Sequence, residues 1–479
     1  MLIFQRLIWG GVERLEILGD VTFSGLTNNS IVGIRSLGTL SIANGATIGI
    51  DSENSVLFEM SGFTVDPLTD TTILNERGSV FLGSDGGSLE LRTSTISATG
   101  SLPEAFSPFQ QDGRNFLEIE SEENLSFAES TILSSGSMFI SSEGEMRSEQ
   151  TSFQAETTFV GQFFEGYTIE ETTTIEAEDL FLLGGSGSVV DSELTGSSSL
   201  AFETSDQIDS QSTPNIGLMI EDSVLNAGTF SLFSSSTFKM ETSNITAEGP
   251  ALFSVDSDLT ISESSITADS LSMNIQRNAD LDDASITTAG AVNLENRAGI
   301  TVSEGSSIEA SDVLLSASEG SITIDDSNLA ADEFIGIRGF EIVTLDTADI
   351  ESSYLEIDGA TVDIARSRFD SDELNIFADA DLSLAQLDLR GLSEISMAAR
   401  TLILSDIQFA STSSIQLGSE NGQLAPDPNS GASAQTGYVN FIQNVTLDNQ
   451  PAQDFVSTVD GGNAKPDQAV IDIFQSTNE

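Results

Sequence analysis

A large apolar residue returns about every 20 residues along this chain. We call this residue the anchor of its repeat; it stands in phrases such as Ser-Ser-Ile266-Thr-Ala, with a small residue two positions later. In the most regular part of the chain the anchors recur every 19 to 22 residues, at Ile245, Ile266, Ile286, Ile308, Leu329, Ile350, Phe369, Leu389 and Phe409. A period of this length predicts a solenoid, because each repeat can bury its apolar face only against its neighbours.

Each repeat also contains pairs of apolar residues separated by a single residue. One pair precedes the anchor, as Leu259/Ile261 precedes Ile266, and another follows it, as Leu271/Met273 does. Alternation with a period of two predicts short strands with one buried face. Three such strands per turn of about 20 residues predict an all-β fold, and the strong preference for right-handed parallel crossovers makes it a right-handed parallel β-helix.

The same pattern extends upstream with interruptions. Further anchors are Ile96, Ile132, Phe153, Ile175, Leu194 and Leu225. Two long gaps between them hold insertions at residues 99–115 and 204–215, which we expect to form side loops. Fifteen anchors predict about fifteen coils, or roughly 70 Å of stacked coils at ~4.8 Å per coil.

Four segments follow from where the pattern begins and stops. Residues 1–35 are predicted to be an N-terminal segment or cap, and residues 36–424 the β-helix. Residues 425–437 have the composition of a linker, and residues 438–479 are expected to form a C-terminal extension or cap over the open strand edge. The first residues lack the features of a signal peptide, so we expect a start further upstream and a fragment of a longer protein.

Composition excludes several classes of function. The chain has 16 Lys and Arg against 76 Asp and Glu, a formal net charge of −60, and this charge repels nucleic acid and anionic membranes while attracting cations weakly and diffusely. It has no Cys and no His, which removes disulfides, thiolate metal sites and the commonest general base. No stretch reaches the roughly 18 apolar residues of a membrane helix. We therefore predict no cofactor and no membrane-spanning segment.

Adjacent acids are the strongest candidates for chemistry. They occur at Asp282-Asp283, at Asp325-Asp326 and in the run from Asp370 to Glu373, while Arg366 and Arg368 form the one close basic pair in the regular region. A repeating corner produces equivalent acids without any chemistry, and we interpret the arginines as local charge compensation. The expected number of catalytic, cofactor-binding and metal-binding residues is therefore none.

Other motifs are interpreted as structural. The stretch Gly184-Gly-Ser-Gly187-Ser-Val-Val-Asp191 is similar to a calcium β-roll repeat, but Val189 stands where that motif needs Asp and the motif occurs once. Phe residues at anchor positions are expected in the core. Phe230, Phe233 and Phe238 are expected to form a bulky pair of turns.

The repeats themselves carry a family resemblance. Phrases such as Gly320-Ser-Ile-Thr-Ile-Asp-Asp-Ser-Asn-Leu329 and Asp258-Leu-Thr-Ile-Ser-Glu-Ser-Ser-Ile266 resemble the β-helical shaft of filamentous-haemagglutinin-like secreted exoproteins. The resemblance covers most of the chain and implies an exported rod, at the cell surface or released, used in adhesion or matrix contact. The chain lacks the Asn-Pro-Asn-Gly segment of that family's secretion domain, which leaves the export route open.

The leading hypothesis is a non-enzymatic extracellular or cell-surface protein, adhesin-like or structural in a matrix. Surface glycans or matrix proteins are its expected partners, and residues 99–115 and 204–215 are the expected contact loops. The alternative is a carbohydrate-active β-helix, a polysaccharide lyase or hydrolase or a degenerate relative of one, acting at the acidic corners near Arg366 and Arg368.

Overall fold

The computed structural model describes residues 6–10, 12–24, 26, 30–51, 56–99, 116–205, 216–409, 414–419, 438–443, 445–447, 449–451, 456–458 and 471–475. They are all-β, without a helix, and their parallel strands stack as a β-solenoid of about 17 turns with roughly 21 residues per turn. The chain divides into two compact units, Met1–Gly249 and Pro250–Glu479. This confirms the predicted fold.

The first unit contains strands β1 to β28. Their bounds are β1 Arg6–Gly10, β2 Arg14–Ile17, β3 Val21–Ser24, β4 Ser30–Arg35, β5 Thr39–Ile42, β6 Thr47–Asp51, β7 Val56–Gly62, β8 Thr64–Val65, β9 Leu68–Thr69, β10 Thr72–Asn75, β11 Gly78–Ser84, β12 Leu89–Arg92, β13 Thr95–Ala98, β14 Phe116–Ser121, β15 Leu125–Ala128, β16 Thr131–Ser134, β17 Ser137–Ser142, β18 Glu145–Glu149, β19 Ser152–Ala155, β20 Thr158–Phe163, β21 Gly166–Glu170, β22 Thr174–Gly184, β23 Gly187–Val190, β24 Glu193–Thr204, β25 Ile216–Glu221, β26 Val224–Ser234, β27 Thr237–Glu241 and β28 Asn244–Ala247.

Parallel ladders run through this unit from coil to coil. One joins β4, β7, β11, β14, β17 and β20. A second joins β6, β10, β13, β16 and β19, and a third joins β12, β15, β18 and β21. Each coil therefore contributes three strands, and like residues stack upon like.

The second unit contains strands β29 to β50. Their bounds are β29 Pro250–Val255, β30 Leu259–Ser262, β31 Ser265–Ala268, β32 Ser270–Ile275, β33 Asn278–Asp282, β34 Ser285–Thr288, β35 Ala291–Asn296, β36 Gly299–Ser303, β37 Ser307–Ala317, β38 Ile322–Asp325, β39 Asn328–Asp346, β40 Asp349–Ala365, β41 Arg368–Ala385, β42 Asp388–Arg390, β43 Glu394–Ser405, β44 Gln408–Phe409, β45 Ser414–Ser419, β46 Tyr438–Gln443, β47 Thr446–Leu447, β48 Gln450–Pro451, β49 Val456–Thr458 and β50 Ile471–Gln475.

In the middle of this unit the strands of a coil merge into one long, bent strand. The strands β39, β40 and β41 each run through three faces, and their pairing skips residues where the chain bends. Towards the end, β46 pairs in parallel with β43, and β50 pairs with β45. The role of residues 438–479 as a cap stays a prediction, and residues 425–437 lie outside the described part.

The interior is built from the residues that the repeat singles out. With one exception the predicted anchors are buried, as are the pairs around them, for example Leu259/Ile261 and Leu271/Met273. The exception is Leu389, which is half-buried, because the chain turns nearby at Gly391 with a φ of +72° and Leu387 and Leu392 fill the interior instead. Phe153, Phe369 and Phe409 are buried, which confirms their place in the core.

The count of about 17 coils exceeds the fifteen predicted because the register continues upstream of Ile96. Ile96 stacks on Ile73, and Ile73 stacks on Ile48. The coils between them are longer than the usual repeat, at 23 and 25 residues by position. A search for a period near 20 does not detect them.

Candidate functional site

The acidic pairs singled out in the sequence lie at the corners of the coils. Asp282 and Asp325 end strands, and Asp283 and Asp326 follow them with left-handed backbones, at φ angles of 48° and 46°. Their N–H groups donate to carbonyl oxygens of the next coil, from Asp283 to Ser303 at 3.2 Å and from Asp326 to Asp346 at 3.1 Å. The acids are thus distributed along a row of corners and do not converge on one point.

The corner is a repeated device of both units. The non-glycine residues with positive φ at this corner include Asp70, Thr93, Glu129, Gln150, Thr172, Asp191, Asp222, Thr242, Glu263, Asp283, Glu304, Asp326, Thr347, Arg366, Gln386 and Asp406. A left-handed residue that is not glycine is uncommon, and it persists only where the surrounding structure holds it in place. The stacked hydrogen bonds provide that support.

A buried row of hydroxyl groups lies beside this corner, and the sequence analysis missed it. One position after the left-handed residue, most coils carry a buried Ser or Thr, for example Ser192, Ser223 and Ser243 in the first unit. The Oγ of Ser223 accepts the N–H of Ser192 at 3.2 Å and donates to the carbonyl oxygen of Glu221 at 2.7 Å. The signal was available, because Ser or Thr recurs two residues before the anchor.

The two arginines singled out are engaged in ion pairs between coils. Arg366 contacts Asp346, with its Nε 2.8 Å from the carboxylate, and Arg368 lies 3.0 Å from both Asp349 and Asp370. Asp363, which we expected near Arg366, is not its partner. The ion pair with Asp346 raises the pKa of Arg366, so this guanidinium stays charged.

The remaining motifs have structural positions. Val189 is buried, so its side chain points away from any surface calcium site, and Asp191 is a left-handed corner residue. Phe230 and Phe238 are buried, whereas Phe233 is exposed on the outer surface of β26. The expected contact loops fall almost wholly outside the described residues, at 100–115 and 206–215.

One outward face gathers side chains that the sequence analysis did not connect. It consists of nine positions, three from each of β39, β40 and β41, and we call it the β39–β41 face. Its residues in coil order are Phe334, Gly336 and Arg338, then Tyr354, Glu356 and Asp358, then Glu373, Asn375 and Phe377. Corresponding residues of neighbouring coils are paired in the parallel ladder, so the face is a regular grid on rigid strands.

Aromatic rings form one part of this grid. Phe334 and Tyr354 stack with their centroids 5.6 Å apart and their planes 27° from parallel. The ring of Phe334 leans along its own strand over Gly336, where a side chain would overlap it. Asn375 donates a hydrogen bond from Nδ2 to the Tyr354 hydroxyl at 2.8 Å, which leaves the phenol proton directed to a further acceptor.

Charged groups complete the grid. The guanidinium of Arg338 donates to Oε1 of Glu356 from Nη2 at 2.9 Å. Burial, followed by the negative charges of Asp379 and Glu356, raises the pKa of Asp358, while Arg338 opposes this shift. The face therefore combines flat apolar surface with hydrogen-bonding groups of both kinds and an excess of carboxyl groups.

The candidate site was hidden from sequence analysis by the variable coil length. Phe334 and Tyr354 are 20 positions apart, whereas Glu356 and Asn375 are 19 apart, although both pairs are direct neighbours across the ladder. An average period identifies buried residues well, because they tolerate exchange among apolar types. It does not show which outer residues share a row.

Comparison with known proteins adds no assignment. No protein-family model, no curated protein and no solved structure matches the chain. Within the ranges described above, no group of three or more Asp or Glu residues is arranged to hold a metal ion. In the same part of the chain, no helix is long and apolar enough to cross a membrane.

Proposed function

We propose that this chain is a non-catalytic surface protein, an adhesin-like or matrix-associated β-solenoid that presents binding faces outside the cell. The observation that carries the proposal is the β39–β41 face, where aromatic rings and hydrogen-bonding groups stand side by side on rigid strands. Binding sites of this composition take ligands with both apolar and polar surface.

The state of the basic residues supports binding over catalysis. An acid-base or lyase reaction needs a cation near the reacting bond to stabilise developing charge. Arg366 and Arg368 are held in ion pairs between coils, and Arg338 is held by Glu356. These guanidinium groups have structural partners, and their charge is already matched.

The resemblance to filamentous-haemagglutinin-like exoproteins stays a prediction. The proposal of an exported protein rests on the fold, on its acidity and on that resemblance. A surface of net charge −60 keeps such a protein soluble and separate from anionic membranes.

A carbohydrate-active enzyme is the second candidate, and one observation favours it. Glu356 and Asp358 point outward from the same strand, and the pKa of Asp358 is raised by burial and by neighbouring carboxylates. Two carboxyl groups whose surroundings separate their pKa values are the usual equipment of glycoside hydrolysis.

A binding panel with a product assay separates the two. The purified protein is tested by biolayer interferometry against immobilised polysaccharides, matrix proteins and fixed cell surfaces, with and without calcium. We expect saturable binding to at least one partner, and no reducing-end or unsaturated product in the same samples. Product formation that is lost in Asp358→Asn would establish the enzyme instead.

A further inference from the structure

We propose that the β39–β41 face binds a neutral glycan chain whose sugar rings pack on Phe334 and Tyr354 and whose hydroxyl groups bond to the polar residues beside them. This inference rests on the proposed function as a binding protein and names the ligand class of the same face. It is carried by the arrangement of rings, amide, guanidinium and carboxyl groups on one grid.

The apolar part of the face suits a sugar ring. A pyranose has faces of C–H groups, which pack against aromatic surface, and a rim of hydroxyl groups. Phe334 covers Gly336, so ring surface extends over two grid positions. Tyr354 adds a second ring stacked at 5.6 Å in the next coil, close to the spacing of the strands themselves.

The polar part of the face suits a hydroxyl rim. Hydroxyl groups both donate and accept, so their best partners are fixed groups of both kinds. The Tyr354 hydroxyl and the Asn375 amide are joined by a hydrogen bond of 2.8 Å, and the Arg338 guanidinium is joined to Glu356 at 2.9 Å. These bonds orient the side chains before a ligand arrives, which reduces the entropy lost on binding.

Charge restricts the ligand to a neutral chain. Glu356, Asp358 and Glu373 occupy the grid with a single arginine, and Asp379 lies close enough to raise the pKa of Asp358. An anionic polysaccharide meets like charge here and over the rest of the surface. A basic partner would be attracted to the acids, but it would have no need of the aromatic row or of the amide.

The experiment uses the whole chain and soluble hexasaccharides as probes. Binding of cellohexaose, laminarihexaose and mannohexaose is measured by isothermal titration calorimetry, with carboxymethyl-cellulose as the anionic probe and poly-lysine as the basic one. We expect at least one neutral hexasaccharide to bind and carboxymethyl-cellulose not to bind.

Variants locate the binding. Phe334→Ala and Tyr354→Ala should each weaken it by about tenfold or more, the loss of one aromatic contact. Tyr354→Phe and Asn375→Ala, which keep the rings, should weaken it by about threefold to tenfold. Phe164→Ala is the matched control, because this exposed phenylalanine lies outside the face. Circular dichroism confirms that each variant is folded.

The outcomes distinguish this inference from the proposed function. Neutral-glycan binding that survives all four face variants, binding of poly-lysine alone, or binding to matrix proteins alone would each overturn the inference. In the last two cases the proposed binding function stands. A wild-type protein that binds nothing in either panel overturns both.

Discussion

The buried hydroxyl row shows how single residues hold one coil to the next. Ser223 Oγ accepts from the Ser192 N–H and donates to the Glu221 carbonyl, and Ser243 Oγ accepts in turn from the Ser223 N–H at 3.0 Å. Backbone groups next to a left-handed corner cannot all meet ladder partners, so the hydroxyl satisfies those that remain.

Ser223→Ala tests this role. It leaves the Ser192 N–H without its acceptor and should lower the free energy of unfolding by about 1–3 kcal/mol, the range for a buried polar group deprived of its partner. Ser198→Ala, at an exposed position of β24, is the control. Urea unfolding followed by circular dichroism measures both, and equal midpoints for the two variants would show that the hydroxyl row is dispensable.

Glu118 is the residue whose ionisation most opposes the fold. It stands on the outside of β14 between Phe81 and Phe139 of the neighbouring coils, with Glu120 beside it. Burial first, and then the hydrogen bond and charge of Glu120, raise the pKa of Glu118 from 4.5 to about 8. The folded state therefore binds more protons than the unfolded state between pH 4.5 and 8, and stability falls as pH rises through that window.

Glu118→Gln should remove this dependence. It should stabilise the protein by about 1–2 kcal/mol at pH 9, where the wild-type carboxyl is ionised, and change little at pH 4, where it is protonated in both states. Glu176→Gln, on an exposed position, controls for the lower net charge. The comparison is of urea midpoints at both pH values. A gain of the same size at pH 4 and pH 9 would contradict the assignment.

At the scale of strands, the core is adjusted pair by pair. Tyr167 of β21 is buried and stacks on Gly187 of β23, and a side chain at Gly187 would overlap the tyrosine ring. The Tyr167 hydroxyl has no hydrogen-bond partner among the described residues, and burial raises its pKa. A large residue and a glycine thus share one layer of the interior.

Two substitutions test this fit. Tyr167→Phe should stabilise the protein by about 1–2 kcal/mol, since it removes a buried hydroxyl without a partner. Gly187→Ala should destabilise it by about 1–3 kcal/mol through overpacking, and less in a Tyr167→Leu background. Thermal unfolding of the four proteins measures the coupling. Strictly additive effects would mean that the two residues do not share the space.

The strands also show what sequence can and cannot predict. The inward residues were predictable, because burial demands apolar side chains at alternate positions and Ile266, Leu329 and Phe369 repeat that demand coil after coil. The β39–β41 face was not, because outer positions carry no such demand. Its rows depend on where β39 and β40 skip residues at their bends, and only the ladder shows that.

At the scale of the whole molecule, charge is the dominant feature. A net charge of −60 repels itself in the folded state, where acids are stacked coil upon coil. The corner row places one or two carboxylates on most coils, within a screening length of about 10 Å at 0.1 M salt. Salt should therefore stabilise the protein by screening.

The expected result is a urea midpoint that rises steadily between about 0.02 M and 0.5 M NaCl, the range over which screening becomes short. Calcium chloride at equal ionic strength should give a similar rise, since the cation binding is predicted to be diffuse. A much larger rise with micromolar calcium would reveal a specific calcium site and contradict that prediction.

The central claim is that this solenoid binds a partner without converting it. The most direct measurement incubates the protein for a day with the polysaccharide it binds best, and follows both bound protein and polymer length by size-exclusion chromatography with light scattering. The account predicts saturable binding with the polymer length unchanged. Shortening of the polymer, abolished by Asp358→Asn, would contradict it and make the β39–β41 face an active site.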